Sequence, residues 1–419
     1  MNERNHRPHI AVVGGGAAGM MAAGTAGENG AAVTLFEQNT ELGKKLLITG
    51  KGRCNLTNQC GEREFLEHVV RHPRFLYSAI YAFPPARTIS FFEQLGCPCK
   101  TERGQRVFPV SDRAADVRNA LERYLMQNQV QRVHEKVCGI AAQNGVVYGV
   151  QTTTGFFSCD AVILATGGLS YPGTGSTGDG YAFARSLGHT VTPTFPSLVP
   201  LEIEGNDCAR MQGLSLKNTA LRVIDISDGR EVYRDFGEML FTHFGVSGPM
   251  VLSASAHLDP QHVQAYRLEL DLKPALDEKM LDHRLLADFS AGKNRDLINI
   301  MSGLLPHKMI DVFLHRCGID PHKKVHDITK SERRAMCTHL KHFSLQVKGF
   351  LPVREAIITA GGVDVGQIDP KTMSSRLVQG LYFAGEMIDT DAYTGGFNLQ
   401  IAFATGFLAG RAAAQMFQD

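Results

Sequence analysis

The chain opens with a short apolar run that leads directly into closely spaced glycines. Residues 10–13 are apolar, Gly14, Gly16 and Gly19 follow in the spacing G-x-G-x-x-G, and a stretch rich in alanine and methionine comes next. Strand, tight turn and helix in this order are typical of a dinucleotide-binding unit. Gly14 permits the turn, Gly16 lets the backbone approach a pyrophosphate, and Gly19 allows the helix to pack closely on the strand. This segment therefore predicts a parallel α/β sheet of the Rossmann type.

An acidic residue follows the second predicted strand. The next apolar run, residues 32–36, ends at Glu37, which stands 18 positions after Gly19. A carboxylate there accepts hydrogen bonds from the hydroxyls of an adenosine ribose, which favours FAD or NAD over NADP. The N-terminus of the intervening helix offers free N–H groups and a positive dipole end to the phosphates.

A second glycine-rich segment, near the other end of the chain, distinguishes FAD from NAD. Residues 381–384 form another apolar run, Gly385 and Glu386 follow it, and Gly395 and Gly396 precede a long apolar stretch. Glu386 is placed to hold a ribityl hydroxyl. The helix predicted over 399–415 directs its positive N-terminus at the pyrimidine edge of a flavin. One FAD held by both ends of the chain is the resulting prediction.

Composition narrows the class of protein. The 419 residues, 43% hydrophobic and 20% charged, predict two or three domains with ordinary cores. The net charge of +1 gives no overall support to nucleic-acid binding, although it leaves a local basic patch open. No run approaches the ~20 apolar residues of a membrane helix. The polar residues 1–8 lack the apolar core of a signal peptide, so we expect a cytoplasmic protein.

Cysteine usage and linker composition complete the outline. Nine scattered cysteines without a C-x-x-C pair predict reduced thiols, and no metal site is predicted. Three prolines within residues 193–200 indicate a domain boundary. We predict a first part of the nucleotide-binding domain over 1–195, a β-rich insertion over 196–275 and 341–352, a helical insert over 276–340, and a return to the first domain over 353–419. The glycine-rich residues 44–58 are predicted to form a loop near the cofactor.

Several longer phrases carry a resemblance to a known family. They are residues 43–58 (GKKLLITGKGRCNLTN), 106–112 (RVFPVSD), 165–168 (ATGG), 171–180 (YPGTGSTGDG), 240–249 (LFTHFGVSGP) and 395–400 (GGFNLQ). With these phrases the chain resembles the two-dinucleotide-binding-domain flavoproteins. Within them it is similar to the BaiN/aminoacetone-oxidase-type group of NAD(P)/FAD-dependent oxidoreductases. The resemblance implies a discontinuous Rossmann-like FAD domain, an inserted, slightly open β-barrel domain and a nested small helical domain.

The resemblance also implies a set of FAD contacts, which join Gly14, Gly16, Gly19 and Gly396 of the glycine segments. These contacts are Ala17, Ala18, Glu37, Gln38, Lys45, Arg53, Asn55, Val137, Thr166, Gly167, Gly385, Glu386, Asn398 and Leu399. No second G-x-G-x-x-G follows a predicted strand. We therefore expect NADH or NADPH to be a transient donor that visits the same flavin face as the substrate.

Three side chains are candidates for contact with a small-molecule substrate. His243, Tyr171 and Tyr393 lie in segments expected to approach the flavin, where they can donate a hydrogen bond or a proton. The predicted activity is reduction of an activated carbon–carbon double bond. The resemblance implies 3-oxo-Δ4 and Δ4,6 bile-acid intermediates as the substrates.

Other functions stay open on the sequence alone. They are oxidation of a small amine such as aminoacetone with O2, formation of dihydrouridine in ribosomal RNA, and a flavin-binding role without catalysis. The oligomeric state also stays open.

Overall fold

The computed structural model describes residues 7–416. The chain divides into two compact units. The first combines both ends of the chain, Met1–Ser197 and Val353–Asp419, and the second is the intervening segment Leu198–Pro352.

The N-terminal part of the first unit consists of short strands and helices. Its strands are β1 (His9–Val13), β2 (Ala32–Phe36), β3 (Thr57–Asn58), β4 (Cys99–Glu102), β5 (Arg106–Pro109), β6 (Gln131–Val133), β7 (Val137–Gln143), β8 (Val146–Thr152), β9 (Phe156–Ser158), β10 (Ala161–Leu164) and β11 (Phe195–Ser197). Its helices are α1 (Ala17–Glu28), α2 (Lys44–Ile48), α3 (Glu62–Glu67), α4 (Tyr77–Ala82), α5 (Pro85–Gln94), α6 (Ala114–Gln127) and α7 (Asp179–Ser186).

The second unit follows, and the chain then returns to the first. The strands of the second unit are β12 (Leu201–Ile203), β13 (Ser215–Asp225), β14 (Glu231–Phe241), β15 (Gly245–Ser247), β16 (Tyr266–Asp271) and β17 (Phe343–Phe350). Its helices are α8 (Asp207–Arg210), α9 (Pro249–Ser255), α10 (Glu278–Ala291), α11 (Leu297–Met301), α12 (His307–Arg316) and α13 (Lys330–Lys341). The returning elements are β18 (Ile358–Ala360), β19 (Leu381–Phe383) and α14 (Phe397–Gln415).

The main sheet of the first unit is parallel and has the order β19-β10-β1-β2-β6. Val12 in the central strand pairs with Ile163 on one side and Leu35 on the other. β1 and β10 are apolar and almost wholly buried, as expected of parallel strands covered on both faces. The predicted α/β architecture with a Rossmann-type unit is confirmed.

Two buried helices from opposite ends of the chain pack against each other beside this sheet. α1 and α14 are apolar nearly all round, which is typical of helices inside a core. Their backbones approach closely at small residues. A Cβ atom built on Gly410 would lie 2.2 Å from the carbonyl oxygen of Ala22, and one on Gly406 would lie 2.5 Å from that of Ala18.

The second unit is a closed six-stranded barrel with a helical segment. The strand order is β12-β15-β14-β13-β16-β17. Tyr266, Leu268 and Leu270 of β16 are buried while the residues between them are partly exposed, so one face of the strand fills the core. α10–α13 lie between β16 and β17 in the chain, and α13 begins with a capping box formed by Thr329 and Glu332.

The prediction of a loop over 44–58 is wrong at both ends, and at its C-terminal end Thr57–Asn58 forms β3. Lys44–Ile48 forms α2, because glycines are absent from these five residues and Leu46 packs into the core. The irregular backbone begins later, where Gly50 and Lys51 both have a positive φ. Within residues 7–416, no helix combines the length and apolar character needed to cross a membrane.

We expect Gly410→Ala to lower the free energy of unfolding by about 1–3 kcal/mol, because the added methyl group collides with the backbone of α1. This cost exceeds the gain in helix propensity of about 1 kcal/mol. Urea unfolding followed by circular dichroism measures the change. Gly237→Ala is the control, since a Cβ atom at Gly237 meets nothing within 4 Å. Equal stability of the two variants would contradict the close packing of α1 and α14.

Candidate functional site

The three glycines of the first turn play different structural roles. Gly14 has φ +106°, and a Cβ atom there would lie 2.5 Å from the carbonyl oxygen of Ala165. A Cβ atom on Gly19 would lie 1.8 Å from the carbonyl oxygen of Gly14. At Gly16, by contrast, a Cβ atom would meet nothing within 4 Å. Packing requires glycine at Gly14 and Gly19, whereas Gly16 borders open space at the N-terminus of α1.

Glu37 is buried and held in place by the turn that it faces. Its Oε2 accepts a hydrogen bond from the backbone N–H of Gly15 at 2.7 Å, and its Oε1 accepts from the backbone and side chain of Asn39. The neighbouring Gln38 donates to the carbonyl oxygen of Gly175 at 3.0 Å. The predicted ribose-binding carboxylate is therefore fixed beside the glycine turn.

The two glycine segments meet at the carboxyl ends of β1, β10 and β19. A Cβ atom on Gly385 would lie 2.7 Å from the Cβ of Ala18, and one on Gly14 would lie 3.1 Å from the Cα of Thr166. Gly167, the next residue, has φ +75°. The carboxyl ends of parallel strands are where ligands bind in open α/β sheets. The structure thus brings together predicted residues from three distant segments.

A network of polar side chains ties four segments together at this edge. Lys45 forms an ion pair with Glu386 at 2.5 Å and donates to the hydroxyl of Ser170 at 2.6 Å. The other carboxylate oxygen of Glu386 accepts from the Ser170 hydroxyl and from the backbone N–H of Thr359. The Thr359 hydroxyl accepts from the backbone N–H groups of Leu169 and Ser170.

Ser170 and Thr359 are missing from the sequence prediction. The glycines near each of them were the only signal, because neither belongs to a recognised motif.

Arg53 and Asn55 have contrasting surroundings. The Arg53 guanidinium pairs with Glu102 and Asp112, both at 2.5 Å, and stacks over the Phe108 ring. The buried Oδ1 atom of Asn55 has no hydrogen-bond partner among the residues described. Arg53 is therefore engaged by protein carboxylates, while Asn55 keeps a buried acceptor for a further group.

The turn before α14 is rigidly braced. Gly396 has φ +100°, and a Cβ atom there would lie 2.3 Å from the carbonyl oxygen of Thr57. The Asn398 side chain accepts from the backbone N–H of Ala392 and donates to its carbonyl oxygen. Gln400 accepts from the hydroxyls of Thr57 and Thr88, both at 2.7 Å. Because these bonds all hold the first turn of the helix, the N-terminus of α14 has a defined direction.

The remaining predicted cofactor contacts lie at the starts of helices and strands. Ala17 is the first residue of α1, Leu399 lies in the first turn of α14, and Val137 is buried at the start of β7. Their contact with a cofactor stays a prediction.

The three candidate substrate contacts lie in different places. Tyr171 has φ +52° and is partly buried before the turn Pro172–Thr174. The backbone N–H of Tyr393 donates to the carbonyl oxygen of His68, and the two rings contact edge to face. His243 belongs to the second unit, where it is exposed between β14 and β15. Their roles stay predictions.

A pair of buried acids after β19 also escaped the sequence prediction. Asp391 is fully buried, and its Oδ2 accepts from the Ser197 hydroxyl at 2.7 Å. The Nε atom of Arg71 lies 3.4 Å from its Oδ1. Desolvation raises the pKa of Asp391 to about 6. Asp389, two residues earlier, is 4% exposed. In the part of the chain that the structure describes, no cluster of three or more His, Cys, Asp or Glu residues has a metal-binding arrangement.

The chain matches a known family over nearly its whole length. The sequence model described as the HI0933-like protein Rossmann domain matches residues 8–412. This chain belongs to the HI0933-like family.

Curated relatives match this chain over nearly their full length. A 3-dehydro-bile acid delta(4,6)-reductase of Clostridium scindens is 32% identical over 413 residues, which is 97% of this chain and 99% of the relative. A ribosomal RNA dihydrouridine synthase of Haemophilus influenzae is 29% identical over 411 residues, which is 94% of this chain and 96% of the relative.

A solved structure shares the fold of this HI0933-like chain. The 3-ketosteroid-delta4-(5alpha)-dehydrogenase of Rhodococcus jostii, in complex with 4-androstene-3,17-dione, superposes with a TM-score of 0.53 at 16% identity. The match covers 97% of this chain and 96% of that enzyme. At this level of identity the likeness concerns the fold alone.

We expect Asp391→Asn to remove one component of the pH dependence of stability. Because the pKa of Asp391 is raised from 3.8 to about 6, the folded chain binds this proton more tightly than the unfolded chain. The resulting stabilisation is fully present below pH ~4 and is lost as the pH rises through about 6. The free energy of unfolding of the wild type, relative to the variant, should therefore fall by about 3 kcal/mol between these limits.

Urea unfolding at a series of pH values measures this difference. Asp228→Asn changes an exposed acid and serves as the control. A difference between wild type and Asp391→Asn that stays constant with pH would contradict the raised pKa.

Proposed function

We propose that this protein is an FAD-dependent oxidoreductase that reduces a carbon–carbon double bond conjugated to a carbonyl group. The observation that carries the proposal is the open space at Gly16, flanked by two glycines that packing does require. The buried oxygen of Asn55 supports it, because no donor among residues 7–416 reaches that atom and a bound group could supply one. The residues present therefore suit a dinucleotide that lies across the ends of β1, β10 and β19.

The residues proposed to hold FAD come from both ends of the chain. They are Gly14, Gly16, Ala17, Ala18, Gly19, Glu37, Gln38, Lys45, Arg53, Asn55, Val137, Thr166, Gly167, Gly385, Glu386, Gly396, Asn398 and Leu399. Bound FAD supplies hydride transfer, a chemistry that side chains alone do not provide.

The chain's own groups would orient the substrate and stabilise charge. The braced N-terminus of α14 carries a positive dipole end, which favours negative charge in front of it. Tyr171 and Tyr393 are the candidates in the first unit to donate a hydrogen bond to the substrate carbonyl. Such a bond stabilises the negative charge that develops on that oxygen when the double bond is reduced.

We propose a 3-oxo-Δ4 or Δ4,6 bile-acid or related steroid intermediate as the substrate, and NADH or NADPH as the electron donor. The bile-acid reductase relative of Clostridium scindens supports this choice, since it matches 97% of this chain.

Formation of dihydrouridine in ribosomal RNA is the second candidate. It is favoured by the relative of Haemophilus influenzae, which is 29% identical over 94% of this chain. The double bond of uracil that becomes saturated in dihydrouridine is also conjugated to a carbonyl group. Both candidates thus require the same chemistry. They differ in the substrate molecule that carries the conjugated ring, which is a steroid in one case and an RNA in the other.

We expect Gly16→Val to lose bound flavin while keeping its fold. The backbone at Gly16 is extended, with φ −79° and ψ −172°, so valine is accommodated without strain. Its side chain would fill the open space proposed for the pyrophosphate. Flavin absorbance per chain after purification measures occupancy, and circular dichroism checks the fold.

Gly237→Val is the matched control, because its surroundings are equally open but lie in β14 of the second unit. Flavin content in Gly16→Val equal to that of the control would refute the proposed cofactor site.

We expect the purified protein with NADH or NADPH to reduce a 3-oxo-4,6-diene bile acid, seen as loss of the dienone absorbance. An unmodified ribosomal RNA transcript, analysed by mass spectrometry for added hydrogen, tests the second candidate in parallel. Gly16→Val should be inactive in both assays. If neither substrate is reduced by wild-type protein that retains flavin and accepts electrons from NADH, the proposed reaction is wrong.

A further inference from the structure

A group of buried polar side chains lies in the first unit outside the residues proposed to hold FAD. Asp389 and Thr390 are each 4% exposed, and Asp391 is fully buried. Asp389 Oδ1, Thr390 Oγ1 and Asp391 Oδ1 all lack a hydrogen-bond partner within the described part of the chain. A buried polar atom without a partner costs about 1–3 kcal/mol. Three such atoms on consecutive residues point to a role beyond packing.

The other oxygen of each acid is held by a hydroxyl group. Asp391 Oδ2 accepts from Ser197 at 2.7 Å, and Asp389 Oδ2 accepts from Thr192 at 3.0 Å. Arg71 Nε lies 3.4 Å from Asp391 Oδ1 but does not form a hydrogen bond with it. The two carboxylates are therefore fixed in orientation. Within the described part of the chain Asp389 Oδ1 accepts no hydrogen bond, and Asp391 Oδ1 has an ion-pair contact with Arg71 but likewise accepts no hydrogen bond.

His72 links the acids to solvent. Its Nε2 atom lies 3.4 Å from Asp389 Oδ2, and its side chain is 45% exposed. The two ring nitrogens of a histidine let it accept a proton on one side and donate one on the other. A path from solvent through His72 to Asp389 thus reaches the segment that contains Asp391.

The acids stand at the base of the turn that leads to α14. The carbonyl oxygen of Asp391 accepts from the backbone N–H groups of Val70 and Arg71. Two residues later, the backbone N–H of Tyr393 donates to His68, and Gly396 then precedes α14. The segment 68–72 therefore braces the acids and the candidate substrate-binding turn together.

We propose that Asp391 and Asp389 hold the proton that the substrate carbon takes up, and that His72 restores this proton from solvent. The inference rests on the proposed reduction of a conjugated double bond.

The overall reaction requires a proton donor. Reduction of the double bond adds one hydride, which carries both electrons and derives from the reduced flavin, and one proton. The O–H bond of the Asp391 carboxyl group breaks, its electron pair stays on the carboxylate, and the proton passes through water to form the second C–H bond. Asp389 and then His72 return a proton to Asp391.

The charges around Asp391 suit this task. Desolvation raises its pKa to about 6, and Asp389 adds to the rise, whereas Ser197, Arg71 and His72 lower it. A measurable fraction of the carboxyl group is thus protonated near neutral pH.

Burial also raises the pKa of Tyr181, with contributions from Glu386 and Asp389, so its hydroxyl stays neutral.

Rapid mixing of the reduced holoenzyme with the 3-oxo-4,6-diene tests the proposal. The wild-type rate should fall as the pH rises through about 6, because the protonated acid is the active form. We expect Asp391→Asn to be at least about tenfold slower, and to lose this pH dependence. Asp391→Glu should recover part of the rate. We expect His72→Gln to be slower as well, and added imidazole should restore its rate but not that of Asp391→Asn.

His326→Gln is the matched control for His72→Gln. His326 Nε2 lies 3.5 Å from an Asp327 oxygen, and its side chain is 49% exposed, but its partner is an exposed acid in the second unit. Its rate and its response to imidazole should equal those of the wild type. Flavin content and near-ultraviolet circular dichroism show whether each variant is folded.

An infrared titration separates this inference from the proposed function. The carbonyl stretch of a protonated carboxylic acid should disappear with a midpoint near pH 6 in the wild type and be absent from Asp391→Asn. Lack of this band, or a variant with the wild-type rate and pH profile, overturns the proton role of the acids. If the wild type shows the band but reduces neither the bile acid nor the RNA, the proposed function fails while the proton-holding role of Asp391 stands.

Discussion

The parallel pairing of β19 with β10 is the interaction on which the rest of the first unit depends. It aligns Ile163 with Tyr382 and so joins the last part of the chain to the sheet formed by the first part. Because the chain reverses after β19, α14 then packs along α1 through Gly406 and Gly410. Both contacts bury apolar surface that neither end of the chain could bury by itself. The candidate site lies where these two ends meet.

Polar contacts add specificity to this apolar association. Glu386 accepts from Lys45, Ser170 and Thr359, so one carboxylate fixes four segments of chain. Asp391 accepts a hydrogen bond from Ser197 and forms an ion pair with Arg71, although desolvation opposes its charge. A costly charge beside a candidate site is the arrangement expected of a group retained for chemistry.

Local constraints explain why glycine is required in the first turn. The different roles of Gly14, Gly16 and Gly19 follow from spacing, because a tight turn and a close helix–strand contact each exclude a side chain. The return of residues 353–419 to the first domain is a prediction from composition and motifs. By contrast, Ser170, Thr359 and the buried acids could not be foreseen. The partners Lys45 and Glu386 are 341 positions apart, and no local pattern records such a pairing.

The sequence by itself determined the Rossmann-type turn and the family of the chain. These properties depend on short-range backbone geometry, which a few residues specify. The tertiary structure decided which side chains complete the site. It engages Arg53 with Glu102 and Asp112, leaves the Asn55 oxygen without a hydrogen-bond partner among the described residues, and buries Asp391 so that its pKa rises to about 6. Burial, desolvation and long-range partners arise only when distant segments pack together.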